Sequence, residues 1–150
     1  MVRNPADKHD LYYESTLQLR DVTQEMVDFA YNEIERTGMR IAKEVSLDNG
    51  IDFRLTDKSL TRALGKKLQA TFGGEYKETA RIYGQKDGAE IYRLTVLFRS
   101  MGAKKGDIVN YRGEEYKIVL IGKDMLLQDV HSGKKIHVKY NEAKNFKILE

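Results

Sequence analysis

The sequence predicts an α+β fold, in which a β-α-β-α-β-β two-layer sandwich is followed by a small SH3-like or OB-like β-barrel. Three observations favour it. Segments of alternating apolar and polar residues recur along the chain, as is typical of strands. Two segments within the first hundred residues instead repeat apolar residues every three or four positions, as in helices. After residue 100, only short strand-like segments and tight turns are evident.

The first strand is predicted at residues 11–20, which are rich in tyrosine and threonine. Asp21 or Thr23 would cap the helix that follows it, because short polar side chains accept hydrogen bonds from the first helical amides. Gly38 is a stop signal for this helix, although the pattern could continue to about Glu44. The predicted inner face of the strand contains Tyr13, Ser15, Leu17 and Leu19. The predicted buried stripe of the helix contains Met26, Val27, Ala30 and Ile34.

A second strand and a second helix follow the turn signal Asp48-Asn49-Gly50. The strand alternates apolar and polar residues over 51–55. Thr56 or Asp57 would cap the helix, and Gly73-Gly74 would end it. The predicted core positions of the helix are Leu60, Leu64, Leu68 and Phe72.

Two further strands are predicted at about residues 75–83 and 90–99, joined by a glycine-flanked polar turn at 84–88. The second of these strands is rich in β-branched and aromatic residues. It places Arg93, Thr95 and Arg99 on one face. With both helices on one face of the resulting sheet, these elements make the predicted sandwich.

The composition changes near residues 101–106, which predict a linker between two domains at residues 1–100 and 101–150. The first segment contains 16 basic and 16 acidic residues, whereas the second contains 10 basic and 7 acidic residues, so the net charge of +3 lies in the second. The second segment is predicted to form the barrel. A sheet this small protects its edges and buries a core only if it curls and closes.

Several classes of protein are excluded or disfavoured by what the sequence lacks. It contains no cysteine, which excludes disulfides, thiolate zinc sites, thiol nucleophiles and iron–sulfur clusters within these residues. Neither a signal peptide nor a long apolar run is found, so a cytoplasmic protein without a membrane segment is expected. No phosphate-binding loop or nucleophile elbow occurs. We therefore expect neither an enzyme nor a cofactor nor a small-molecule substrate.

The three histidines leave one metal-binding alternative open. His131 and His137 could share a metal ion with Asp129, but their spacing matches no known ligand pattern. A solvated histidine in a turn and a histidine on a strand face are the preferred interpretations of these two residues. His9 falls in a predicted N-terminal tail, and no metal site is expected.

Basic residues suggest contact with folded RNA through its phosphates. Lys58, Arg62 and Lys66 are four residues apart and therefore share one face of the second helix; the preceding strand is expected to extend this patch. An ordinary solvated helix face is the alternative. The candidate RNA-binding residues are Arg54, Lys58, Arg62, Lys66, Lys67, Lys104, Lys105, Lys123, Lys134 and Lys135.

Tyrosines could add base stacking to these phosphate contacts. Alternatively, they pack with one edge in the core. The candidates for solvent-facing tyrosines are Tyr12, Tyr83, Tyr92, Tyr111 and Tyr140.

Four blocks of the sequence resemble a known family. They are YYESTLQLR at 12–20, GIDF at 50–53, KSL and LGKKL within 58–68, and YRLTVLFR at 92–99. They resemble the middle of the large-ribosomal-subunit export adaptor, nonsense-mediated mRNA decay protein 3, and its archaeal members most of all. The resemblance covers about residues 10–140. It implies a first domain similar to a eukaryotic-type large-subunit ribosomal protein and a barrel similar to part of translation factor 5A.

The resemblance also implies a function and partners. We expect a monomeric, non-catalytic module that contacts rRNA and ribosomal proteins of the immature large subunit late in its assembly. Family members begin with paired Cys-x-x-Cys zinc modules, which this sequence lacks, so a fragment or a short archaeal form is expected. Nuclear export is not implied, because nothing resembles the family's export signals. A protein–protein adaptor without RNA contact, docking through the acidic first helix and a barrel edge, is the alternative.

Overall fold

The computed structural model describes residues 12–149 and contains α-helices together with two five-stranded sheets. The broad α+β class is therefore confirmed. His9 and the predicted start of the first strand at Leu11 lie outside the described residues. No helix in this part of the chain is long and apolar enough to span a bilayer.

The first sheet has the strand order β2-β3-β1-β5-β4. Strands β1 and β5 are parallel, and the other neighbours are antiparallel. Helix α1 follows β1, and helix α2 follows β3. The bounds are β1 (Ser15–Arg20), α1 (Gln24–Thr37), β2 (Ile41–Leu47), β3 (Gly50–Leu55), α2 (Lys58–Phe72), β4 (Gly74–Lys86) and β5 (Ala89–Ser100).

Both helices begin at the predicted kind of cap and pack on the same face of this sheet. The Thr23 hydroxyl accepts a hydrogen bond from the Met26 amide over 3.3 Å, and the Asp57 carboxylate accepts one from the Leu60 amide over 2.8 Å. The core between the layers contains the fully buried residues Leu17, Leu19, Ala30, Phe53, Leu55, Leu68, Val96 and Phe98. Neither helix packs on the opposite sheet face, which we call the open face.

The predicted order β-α-β-α-β-β is wrong by one strand, because β2 lies between α1 and β3. Gly38 ends α1 in the left-handed conformation, with φ of 76°, so the helix does not continue to Glu44. Strand β2 forms a hairpin with β3 at the sheet edge. Most of its side chains are exposed or half-buried, so its sequence lacks the alternation that identified the other strands.

The β4–β5 hairpin is longer than predicted, and its turn is tighter. The turn residues are Asp87 and Gly88, with φ of 53° and 80°, as a two-residue type I′ turn requires. A bulge shifts the register between Ile82 and Gly84, which leaves Tyr83 without a cross-strand partner. Since bulges redirect side chains, this one determines where Tyr83 points.

The second sheet has the order β10-β6-β7-β8-β9, and its neighbouring strands are antiparallel. The strand that begins at Lys135 ends at Val138, and a 3₁₀ helix follows at Tyr140–Asn145. The buried residues of the second sheet, including Val109, Ile118 and Met125, form a cluster separate from the core of the first sheet. Closure into a barrel and the domain limit at residue 101 stay predictions. The strands are β6 (Ile108–Tyr111), β7 (Glu114–Ile121), β8 (Met125–Asp129), β9 (Lys135–Val138) and β10 (Lys147–Leu149).

Candidate nucleic-acid interface

The predicted basic face of α2 lies beside β4 and β5, where protein groups already contact its cations. The Arg62 Nε is 2.7 Å from a carboxylate oxygen of Glu78 on β4. The Lys58 ammonium lies 3.9 Å from the ring centroid of Tyr92, and that of Lys66 lies 5.9 Å from the ring centroid of Tyr76. The charge of Arg62 is therefore compensated within the protein.

Lys67 points to the other side of α2 and pairs with Glu33 of α1. Arg36 also binds this carboxylate, with Nε 2.7 Å from Oε2. Hydrogen bonds from Arg36 and then Lys67 lower the pKa of Glu33 from 4.5 to about 2. The acidic helix and the basic helix thus partly compensate each other's charge.

Arg54 lies on the open face, away from α2. The alternate residues Ile51, Phe53 and Leu55 of β3 are buried toward the helices, so Arg54 points the other way. It stands opposite Thr16 of β1 in the strand register. The expectation that Arg54 extends the helix patch is therefore wrong.

On the open face, two arginines and two tyrosines alternate in what we call the Arg–Tyr stack: Arg54, Tyr13, Arg93 and Tyr83. The Tyr13 ring centroid is 4.8 Å from the Arg54 guanidinium and 3.9 Å from that of Arg93. The Tyr83 ring lies 4.2 Å from Arg93. Guanidinium groups stack on aromatic faces and keep their charge and N–H donors available for anions.

Two local irregularities bring the tyrosines into this stack. Strand β1 begins at Ser15, after a bend at Glu14. Tyr13 therefore does not share the inner face of Ser15, Leu17 and Leu19, and that part of the sequence prediction is wrong. Tyr83 is the residue that the β4–β5 bulge leaves unpaired.

Arg81 and Arg93 stand directly opposite each other across β4 and β5. Like charges in this position repel each other. Neither residue has an acidic partner within residues 12–149. Arg93 Nη1 donates a hydrogen bond to the Tyr13 hydroxyl oxygen over 3.1 Å, and its Nε donates one to the Tyr13 carbonyl oxygen over 3.4 Å. The donors of Nη2 stay available for an anion.

The open face as a whole is basic. Its two acidic residues on the sheet are paired: Asp52 lies 2.7 Å from Arg20, and Glu75 lies 3.8 Å from Arg99, which also contacts Asp21 at 2.9 Å. In the described part of the chain, the remaining cations of this face have no acidic partner. Five of these cations lie on the sheet away from the β4–β5 turn: Lys43, Arg54, Lys77, Arg81 and Arg93.

A concave region of about 600 Å³ lies beside the Arg–Tyr stack. Three threonines from adjacent strands form its floor, since Thr16 and Thr79 both stand opposite Thr95. Hydroxyl groups and guanidinium donors therefore converge on one shallow site. The principal lining residues are Tyr13, Thr16, Thr79, Arg81, Arg93 and Thr95.

The predicted lysines of the second segment are exposed, but they lie in different loops. Lys104 and Lys105 precede β6, and Lys123 lies between β7 and β8. Lys134 and Lys135 lie at the start of β9. The structure thus offers separate cations around the second sheet rather than one continuous patch.

Only some of the candidate stacking tyrosines are accessible. Tyr83 is 45% exposed and Tyr12 is 42% exposed, and Tyr92 is half-buried below Lys58. Tyr111 and Tyr140 are buried in the second core, so the expectation that they face solvent is wrong. Tyr140 uses its hydroxyl to bind the backbone of Gly122, with its oxygen 2.7 Å from the carbonyl oxygen.

His131 and His137 face different carboxylates instead of sharing one site. His137 Nδ1 lies 3.3 Å from Asp124, and His131 Nε2 lies 3.9 Å from Glu115. Asp129 accepts hydrogen bonds from the backbone amides of Ser132 and His131, which lower its pKa. Residues 12–149 contain no group of three or more side chains suited to hold a metal ion.

The sequence pattern predicts Arg93 on a strand face and Tyr83 as a candidate for stacking, but it does not identify Arg81 or Tyr13 as functional residues. The Asp87-Gly88 turn would have placed Arg81 and Arg93 near each other across the hairpin. The one-residue bulge that aligns them has no clear signature in the sequence.

Comparison with known proteins identifies one family. The family profile described as "NMD3, second domain" matches residues 12–99, more than half of the 150 residues. The match spans the whole first sheet except Ser100, with both helices and the Arg–Tyr stack. No curated protein sequence is detectably similar to the chain.

Proposed function

The chain belongs to the NMD3 family, and from this premise we propose that it is a non-catalytic module of late large-subunit assembly. In this proposal, it contacts rRNA and ribosomal proteins of the large ribosomal subunit. The family membership supports a ribosomal partner in general. The observation that carries the rRNA contact is the open face, where five cations lack an acidic partner among the described residues.

Phosphate binding explains these cations better than internal pairing does. An exposed cation next to an acid gains little from a further anion, whereas an unpaired one can neutralise a phosphate and release bound counterions. The open face therefore forms the main contact, and Lys58 and Lys66 of α2 form a secondary one. Lys104, Lys105, Lys123, Lys134 and Lys135 supply additional contacts from the second segment.

The proposal includes the remaining expectations from the sequence. The chain acts as a cytoplasmic monomer of archaeal type and uses no metal, cofactor or small-molecule substrate. Its second sheet closes into a small barrel similar to part of translation factor 5A. The chain has two domains, at residues 1–100 and 101–150, and both contact the large ribosomal subunit.

Co-sedimentation with purified ribosomal subunits tests this proposal. The wild-type protein should pellet with large subunits in preference to small subunits, and less protein should pellet as salt rises. The triple variant Arg54→Gln, Arg81→Gln and Arg93→Gln should pellet much less, whereas Arg36→Gln on α1 should pellet like wild type. Equal pelleting with both subunits, or binding that ignores salt, would contradict the proposal.

A protein–protein adaptor is the second candidate function. A shallow depression lies on α1 beside the edge-to-face pair Phe29 and Phe72, and Glu25 and Asp28 line it. This combination suits a basic peptide segment with an apolar anchor. If this candidate is correct, capture of a ribosomal protein should persist after nuclease treatment and should be lost in Asp28→Lys.

A further inference from the structure

The Arg–Tyr stack and the concave region beside it have a more specific chemistry than general attraction to RNA. We propose that this part of the open face binds an unpaired, single-stranded RNA segment, with a phosphate between Arg81 and Arg93 and a base stacked on Tyr83. This inference rests on the proposed rRNA contact and names the form of RNA that the face takes.

The phosphate position follows from the opposed arginines. Arg81 and Arg93 are directly opposite in the register and lack an acidic partner among the described residues. Their repulsion costs the free protein stability, and an anion bound between them removes it. Two planar guanidinium groups offer paired N–H donors, which match the oxygens of a phosphate.

The surroundings of this pair contain little negative charge that would repel a phosphate. The carboxylate of Glu14 accepts a hydrogen bond from the Tyr12 hydroxyl over 3.0 Å. Glu78 is on the same strand as Arg81, but it points to the helix side and binds Arg62. The threonine hydroxyls of the floor can donate further hydrogen bonds to phosphate or ribose oxygens.

The base position follows from Tyr83. One side of its ring covers Arg93, yet 45% of its surface remains exposed. An exposed ring on a sheet face is a platform on which an unpaired base can stack. The bulge that holds Tyr83 out of the ladder keeps the ring beside the concave region, so a base and its own phosphate can be bound together.

Single-stranded RNA fits this site better than a duplex or an acidic peptide does. In an A-form helix the bases are stacked inside and their faces are unavailable to Tyr83. An acidic peptide would satisfy the arginines but would leave the exposed ring without a planar partner. A concave region of about 600 Å³ is within the range of sites that hold one nucleotide-sized group.

Fluorescence anisotropy with the full chain tests the inference. The probes are a labelled 12-nucleotide single-stranded RNA, the same strand in a duplex, and polyglutamate as a competitor. The single strand should bind at least tenfold more tightly than the duplex, and polyglutamate should not displace it at equal charge. Equal binding of the duplex, or displacement by polyglutamate, would overturn the inference. Salt-dependent pelleting with large subunits would still support the proposed function.

Single substitutions distinguish the contribution of base stacking on Tyr83 from that of the guanidinium of Arg93. Tyr83→Leu should weaken single-strand binding roughly 5- to 150-fold, the value of one base–aromatic stack, whereas Tyr83→Phe should retain it. Arg93→Lys should weaken binding although it keeps the charge, because an ammonium cannot replace a stacked planar group. Retention of wild-type affinity in Tyr83→Leu would overturn the stacking role.

A second measurement uses the unaltered protein. The sequence has nine tyrosines and no tryptophan, so intrinsic fluorescence reports on tyrosines directly. Bound single-stranded RNA should quench part of this emission, and Tyr83→Phe should lose a share of that quenching while keeping its affinity. Quenching that is identical in wild type and Tyr83→Phe would contradict a base stacked on this ring.

Discussion

The two sides of the first sheet both carry basic residues, but the two sides differ in how many of these residues are paired with an acid. On the helix side, Arg62 pairs with Glu78, and Lys67 pairs with Glu33. Lys58 and Lys66 of α2 contact tyrosine rings. On the open side, Arg20 and Arg99 also pair with acids, but more of the cations described there have none. Arg54 and Arg93 are held by tyrosine rings. An acid removes the net charge of a pair, whereas a ring leaves it in place. The open side therefore keeps more charge for an external anion, although the helix side has the more regular basic pattern.

The largest expected change in the free energy of unfolding concerns the close packing of α2 on the sheet. A Cβ atom at Gly65 of α2 would lie 2.6 Å from Val96 Cγ1 and 2.8 Å from the Tyr76 ring. Gly65→Val should therefore lower the free energy of unfolding by about 1–3 kcal/mol, the usual cost of overpacking. Gly84→Val is the matched control, because a Cβ there meets nothing within 4 Å. Equal urea midpoints for the two variants would show that α2 is not pressed against the sheet.

A smaller change in the free energy of unfolding, of opposite sign, is expected on the open side. Arg81→Gln removes the repulsion with Arg93, so it should raise the free energy of unfolding by about 0.2–1 kcal/mol. The same variant should bind RNA more weakly. Urea denaturation and RNA titration of one protein sample measure both quantities. A loss of stability would mean that Arg81 supports the fold rather than an anion site.

Removing an acid should convert a compensated cation into an available one. Glu78→Gln frees Arg62 on the helix side. The slope of log K against log salt for single-stranded RNA should then steepen by at most about 0.7, the value of one phosphate contact. Glu90→Gln at the hairpin removes the same charge without freeing Arg62 and serves as control. An identical change of slope in both variants would mean that net charge alone, and not the release of Arg62, causes the change.

The smallest effect is a pH dependence at the interface of the two helices. The folded protein holds the pKa of Glu33 near 2, below its ordinary value of 4.5. The ionised carboxylate thus stabilises the fold above pH 4.5, and this contribution is lost as the pH falls from 4.5 to about 2. Wild type should be more stable than Glu33→Gln at pH 7, and the difference should disappear near pH 2. A difference that does not change with pH would rule out the ion pairs as its cause.

Local signals in the sequence predicted the parts of the fold that depend on neighbouring residues. Thr23 and Asp57 cap the helices, and Gly38 ends α1, because capping involves residues only a few positions apart. Strand β2 was missed because an edge strand exposed on both faces needs no alternation of apolar residues.

The arrangement of the open face depends on contacts that no local signal contains. Sequence periodicity placed Arg54 beside α2 and Tyr13 on the same strand face as Leu17, whereas the register and the late start of β1 bring both to the open face. The bulge at Tyr83 aligns Arg81 with Arg93. The positions of the charged residues along α2 were therefore predictable from the sequence. The contacts between residues of different strands on the open face were not.

The most direct test of this account compares the two sides in one binding experiment. Filter binding of large-subunit rRNA across a salt series would use two triple variants: Arg54→Gln, Arg81→Gln, Arg93→Gln on the open side, and Lys58→Gln, Arg62→Gln, Lys66→Gln on α2. The open-side variant should lower the salt slope by about 1.4, at about 0.7 for each of two phosphates, one at Arg54 and one shared by Arg81 and Arg93. The α2 variant should change the slope less. A larger change in the α2 variant would contradict the account.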